Sequence, residues 1–153
     1  MKTCKICVVM LMLVLMIPKL NPMDVKAANT TDKVFSFNLY STSGAYAVGN
    51  YESKENSSSV YLYSDSMTNT LNSVYVKIYG SKHSSGYSAT DRTYLGRKYY
   101  YTGTGISRAI YSTVYETDCK YAALAARGRT GIGTATGKWS PDSAGSYAQM
   151  SYE

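Results

Sequence analysis

The stretch SVYVKIY at 73–79 sets Val74, Val76 and Ile78 against Tyr75, Lys77 and Tyr79. A period of two puts three aliphatic side chains on one face and two tyrosines and a lysine on the other, the pattern of a half-buried β-strand. In a helix the same aliphatics would spread over about 400° at roughly 100° per residue, leaving no apolar stripe. The period recurs in VFSFNLY at 34–40, where Phe35, Phe37 and Leu39 alternate with Ser36, Asn38 and Tyr40. Both phenylalanines of the chain point one way, so this face is core.

Outward from these two strands, further short ones are expected at 45–51, weakened by Gly49, and at 60–63. The 60–63 strand is expected to pair with 73–79 through the connection 64–72, rich in Ser, Asp, Asn and Thr. Residues 52–59, ESKENSSS, read as a polar loop. Residues 92–95 and 98–101 read as one strand or two, broken at Gly96. In 106–115 the spacing of Ile106, Ile110 and Val114 fits either period, and the dominance of Thr, Val, Ile and Tyr favours strand. YAALAA at 121–126 has helical composition but is short and closely followed by Gly128, Gly131, Gly133 and Gly137. An inner strand against a close neighbour is expected there, with a β-domain carrying one short helix as the alternative. The last strand is expected at 132–139, ended by Ser140-Pro141-Asp142. About seven or eight short strands with turns at intervals of roughly ten residues predict an all-β fold, a small antiparallel β-sandwich.

The first 27 residues differ in kind. Lys2 and Lys5 precede ICVVMLMLVLMI at 6–17, an uncharged run of signal-peptide length and too short for the about 20 residues of a stable membrane anchor. Val25-Lys26-Ala27 offers small residues at the two positions a signal peptidase reads, so cleavage is expected after Ala27. The resulting organisation is a signal peptide at 1–27, a loose lead at 28–33, a sandwich domain at 34–143 and a polar tail at 144–153 that frays or adds an edge. The signal carries four of the sixteen Lys and Arg residues and one of the ten Asp and Glu residues, which leaves the rest of the chain at +3. That mild, unclustered charge argues against nucleic acid as partner. All 17 tyrosines lie after residue 27, but only Cys119 of the three cysteines does. One thiol makes no intramolecular bridge. Cys119 is therefore read as free or as a bridge between two chains, and the fold must rest on its core.

The residues point to no catalytic, cofactor or metal site. His83 is the only histidine and sits in a Gly and Ser loop without a nucleophile motif. Cys119 has no second cysteine or histidine near it in sequence. GIGTATGK at 131–138 imitates a phosphate loop but is one residue too long between glycines and puts Trp139 where Ser or Thr should bind magnesium. Its glycines are expected to serve tight turns and close strand approach. The carboxylates Glu52, Glu55, Asp65, Asp91, Glu116, Asp118 and Asp142 fall in predicted loops and read as solvated charges.

Tyrosines carry the remaining signal. Tyr61, Tyr63, Tyr75 and Tyr79 alternate with aliphatics in strands expected to adjoin, so one sheet would present their rings in outward rows. Such rows bind sugars or partner proteins by flat apolar contact plus a hydroxyl, and they also serve cross-strand pairing alone. Trp139, the only tryptophan, reads either as a core plug or as a stacking platform.

The chain resembles small secreted β-proteins of Bacillus and related Gram-positive bacteria grouped as a domain of unknown function, the YolA-like group. The features carrying the resemblance are FSF at 35–37, the Tyr-containing break before Val60, YYYTGTG at 99–105, IYSTVYE at 110–116 and ATGKWSPDS at 135–143. It implies export and a β-sandwich, and no activity. The expectation is a secreted, non-enzymatic protein binding a cell-wall polymer or an extracellular protein through a tyrosine face formed by Tyr61, Tyr63, Tyr75 and Tyr79, with Trp139. A bacteriocin-like antimicrobial protein is the second class and a small hydrolase the third.

Overall fold

The computed structural model describes residues 28–94 and 99–153; the expected signal peptide and the break at Gly96 lie outside the described residues. Eleven strands and no helix are present among them: β1 Lys33–Leu39, β2 Ala47–Val48, β3 Glu52–Ser53, β4 Val60–Met67, β5 Ser73–Ser81, β6 Thr90–Asp91, β7 Tyr100–Thr102, β8 Ile106–Ile110, β9 Tyr121–Thr130, β10 Gly133–Ser140 and β11 Ser151–Tyr152. They form two antiparallel sheets, one ordered β1-β10-β4-β8 and the other β11-β7-β5-β9-β2, with β3 pairing β9 and β6 pairing β5. This is the all-β sandwich the alternation predicted. The count exceeds seven or eight because β2, β3, β6 and β11 are two-residue pieces.

Each long strand sends its apolar set between the sheets. Phe35, Phe37 and Leu39 of β1, Val60 and Leu62 of β4, Ile110 of β8, and Ala135 and Trp139 of β10 face Val74, Val76 and Ile78 of β5, Tyr100 of β7, and Ala122, Leu124 and Ala126 of β9. Burying each of the larger aliphatics stabilises the fold by about 1.5–3 kcal/mol. YAALAA is an inner strand, as its small side chains predicted, with β5 on one side and β2 and β3 on the other. The 131–138 glycines also act as predicted. Gly131, at φ +86°, turns the chain from β9 into β10, and at Gly137 an added Cβ would lie 2.1 Å from the Tyr63 carbonyl oxygen, beside a β-bulge.

One expected pairing is wrong. β4 does not pair with β5; it lies between β10 and β8 in the four-stranded sheet, while β5 is central in the other. The connection after Met67 does not fold back as a hairpin. It crosses between sheets, anchored by Leu71, which is buried in the core. Three smaller readings change too. The 106–115 strand stops at Ile110, and the turn beyond it buries Val114. The 45–51 strand shrinks to β2. The loop expected at 52–59 begins as β3 and continues into Lys54, whose side chain is fully buried against Asp142 at 2.7 Å. Asp142 is thus no solvated loop charge.

The tail past Ser143 does more than fray. Ala109 N–H donates to the Ala148 carbonyl and Met150 N–H to the Ala109 carbonyl, each at 2.9 Å, so the chain lies along the outer edge of β8. It then sinks Met150 into the core and adds β11 beside β7. One strap therefore closes the same side of both sheets.

Candidate binding face

Opposed residues in an antiparallel pair share a face. In the seven-stranded sheet Tyr75 lies opposite Arg127 of β9 and Tyr101 of β7, Lys77 opposite Ala125, and Tyr79 opposite Ala123. All these point away from the core, yet Ala123 and Ala125 are fully buried. Larger side chains lie over them. The Tyr46 ring, just before β2, sits 4.9 Å from the Arg127 guanidinium carbon and 5.3 Å from Lys77 Nζ. Tyr99, just before β7, packs its ring 5.3 Å from that of Tyr75.

The result is an alternation of rings and cations. Arg127 is shared among Tyr46, Tyr75 and Tyr99, the last two at 5.3 and 5.8 Å, while Arg129 stacks on Tyr101 at 4.1 Å. Each such contact contributes about 0.5–2 kcal/mol according to how far it is desolvated. Lys77 is neutralised by Asp91 at 2.6 Å and Arg129 by Glu153 at 3.0 Å. Glu153 also accepts a hydrogen bond from the Tyr75 hydroxyl. Those two bonds hold the Glu153 carboxyl below its usual range, the Arg129 bond contributing more.

Arg127 differs from its neighbours. Its Nη1 donates to the Gly44 carbonyl at 3.1 Å, but it forms no ion pair among the described residues. Its Nε is buried without a hydrogen-bond partner, and so is the nearby Tyr46 hydroxyl. A guanidinium charge with no carboxylate beside it among the described residues, set in an aromatic surround, is what an anion would complete.

Burial pushes the Tyr46 phenol up to about 12, against the pull of Arg127, which favours the phenolate. Ultraviolet titration is therefore expected to show the Tyr46 phenol ionising near pH 12, and Arg127→Ala is expected to move it higher. Because the folded value is raised, the associated stability is intact below the unfolded value of about 10 and lost as pH climbs through the folded one. A Tyr46 that titrates at the ordinary phenol value of about 10 would contradict this surround.

The residues expected to share one face are split. Tyr75 and Tyr79 lie on the face just described. Tyr61 and Tyr63 lie on the outside of the opposite sheet, where Tyr61 packs on Tyr147 at 4.6 Å and shares a hydrogen bond of 3.2 Å with Ser107. No single tyrosine row exists, because the expected β4–β5 pairing does not. Trp139 is 3% exposed, opposite Leu62 in the core, which leaves it no free ring face for surface stacking. Sequence reading missed Tyr46, Tyr99, Tyr101, Arg127 and Arg129. Two signals pointed there: Tyr99 and Tyr101 are two apart in YYYT, as Arg127 and Arg129 are in RGR, so each pair shares a strand face.

Elsewhere His83 and Cys119 line a cavity of about 190 Å³ together with Arg92 and Tyr87. No hydrogen bond joins them among the described residues. His83 instead sets its ring against Tyr87 at 5.8 Å, and buried Cys119 contacts the Thr117 hydroxyl at 3.7 Å. Among the described residues no group of three His, Cys, Asp or Glu side chains could hold a metal ion, and no helix is long and apolar enough to cross a membrane.

Comparison with known families matches residues 23–143 to one described as a protein of unknown function, DUF2712. No curated protein and no solved structure matches the chain.

Proposed function

We propose the following for this chain, which belongs to the DUF2712 family of proteins of unknown function: it is a secreted, non-enzymatic binding module for an anionic cell-wall polymer. The contact surface is the outer face of the seven-stranded sheet, with Tyr46, Tyr75, Tyr99 and Arg127 at its centre. The observation that carries the reading is Arg127, a cation without a carboxylate partner among the described residues, set among three tyrosine rings. A polymer alternating phosphate or carboxylate groups with sugar or polyol units offers both halves of the match. The acidic group pairs with the guanidinium, and the carbon-rich units lie on the rings. Export under the signal read at 1–27 and the Gram-positive envelope suggested by the YolA-like resemblance would bring the protein to such a polymer.

Co-sedimentation with isolated Gram-positive cell walls tests this. Retention is expected to fall at least about tenfold in Arg127→Ala, the loss of a desolvated charge-assisted contact, and to be unchanged in a Tyr61→Ala, Tyr63→Ala double variant on the opposite sheet. Walls that retain neither parent nor variants would end the reading, and growth inhibition of neighbouring bacteria would then be the assay of choice.

A further inference from the structure

The two sheets have four lateral edges, and three are guarded. The outer edge of β8 is covered by residues 148–150. β11 ends the other sheet on that side with two residues, and on the opposite side β2 and β3 are interrupted two-residue pieces. Short, broken or covered edges are how β-proteins avoid strand addition. β1 has none of these protections. It runs seven residues, pairs with β10 in unbroken register from Lys33 to Leu39, and has no second strand partner among the described residues. Residues 34–40 contain no charge and no proline. Its one cation, Lys33, stands at the very end and pairs with Glu52 at 3.4 Å.

We infer that β1 is a self-association edge, on which a second copy of this chain adds its own β1 antiparallel to give a continuous eight-stranded sheet. The side chains specify the register. Val34 and Tyr40, 80% and 82% exposed, point outward from the two ends of the segment. A two-fold axis at Phe37 sets Val34 of each copy opposite Tyr40 of the other, an aliphatic–aromatic cross-strand pair made twice. The same axis sets Phe35 opposite Leu39 and Ser36 opposite Asn38. The two Lys33 side chains fall at opposite ends of the pairing, so no like charges meet. Space is also present: a groove of about 250 Å³ runs beside β1, lined by Val34, Phe35 and Phe37 with Val48, Gly49 and Asn50 across it. Main-chain hydrogen bonds supply the affinity and the side-chain register the specificity, as in other strand additions.

Sedimentation equilibrium of the purified protein under reducing conditions, across roughly a hundredfold range of concentration, tests the inference without contribution from a Cys119 bridge. The apparent mass is expected to double reversibly with concentration. Ser36→Lys, which places charges near the axis on an outward position, is expected to remain monomeric throughout while keeping the parent's circular dichroism. Should that variant misfold, Val34→Lys serves instead, and it must weaken the dimer at least tenfold. A parent that is monomeric at every concentration overturns the inference. So does a dimer that survives the folded variant, because its interface then lies elsewhere. These outcomes are independent of wall binding, which uses the other sheet.

Discussion

Asp142→Ala is expected to lower the unfolding free energy by about 3–5 kcal/mol, the range for breaking a buried ion pair from one side. Both side chains of the Lys54–Asp142 pair are fully buried. The Lys54 ammonium places its three protons on Asp142 Oδ1 at 2.7 Å, the Pro141 carbonyl at 2.8 Å and the Ser58 carbonyl at 2.7 Å. The second carboxylate oxygen accepts from the backbone N–H groups of Asn29 at 2.8 Å and Glu55 at 3.0 Å. Alanine would strand a charge and two amides at once. Replacing both partners, as in Lys54→Met with Asp142→Leu, is expected to recover much of the loss, since no charge is then left without a counter-ion. Burial already draws the Lys54 amine below its usual value, with Asp142 opposing. Without Asp142 it is drawn further down. The variant's deficit should therefore shrink as pH rises from the variant's folded value to the parent's, because in that window the variant's folded Lys54 has lost its proton while the parent's keeps it. Urea melts at neutral and alkaline pH measure both effects; a uniform deficit, or none, would show that the ammonium is not the stranded group.

Trp139→Ala is expected to cost a similar amount, about 3–5 kcal/mol, by leaving a cavity between β10 and the facing sheet. Trp139→Phe should cost less, because the ring that remains keeps part of the packing. The check is the denaturation midpoint at unchanged slope, which reports stability and not a change in the surface exposed. The folded fraction of Trp139→Phe should bind cell walls as the parent does. Reduced binding by folded Trp139→Phe would return the residue to the contact surface.

The strands rich in alternation were legible because a half-buried sheet writes its period directly into the chain. Residues 34–40 and 73–79 show it most clearly, and the burial of every second residue in β1 and in β5 as far as Gly80 follows it. Partners were not legible in the same way. Nothing local in 60–63 says whether the chain turns back or crosses to the other sheet; that depends on Leu71 finding the core, a non-local event. Lys54 and Asp142 looked like solvent-facing charges because Lys54 sits among Ser, Glu and Asn, and Asp142 follows Pro141 in a run of Ser and Gly. Only the fold brings together residues 88 positions apart. The candidate face was half legible: Tyr75 and Tyr79 came from alternation, whereas Tyr46 lies before a two-residue strand too short to show any period.

The place of β10 bears on the order in which the protein can be made. It is the sole link between β1 and the rest of the four-stranded sheet, with Lys33 opposite Trp139 at one end of that pairing. As the chain emerges from a ribosome, β1 has no sheet partner until about a hundred further residues have appeared, and contacts of such range make folding slow. β4 and β8 can pair before then, but β1 joins their sheet only once β10 has been made. Until then the apolar strand at 34–39 has no sheet to bury it, the kind of exposed segment that invites misassociation.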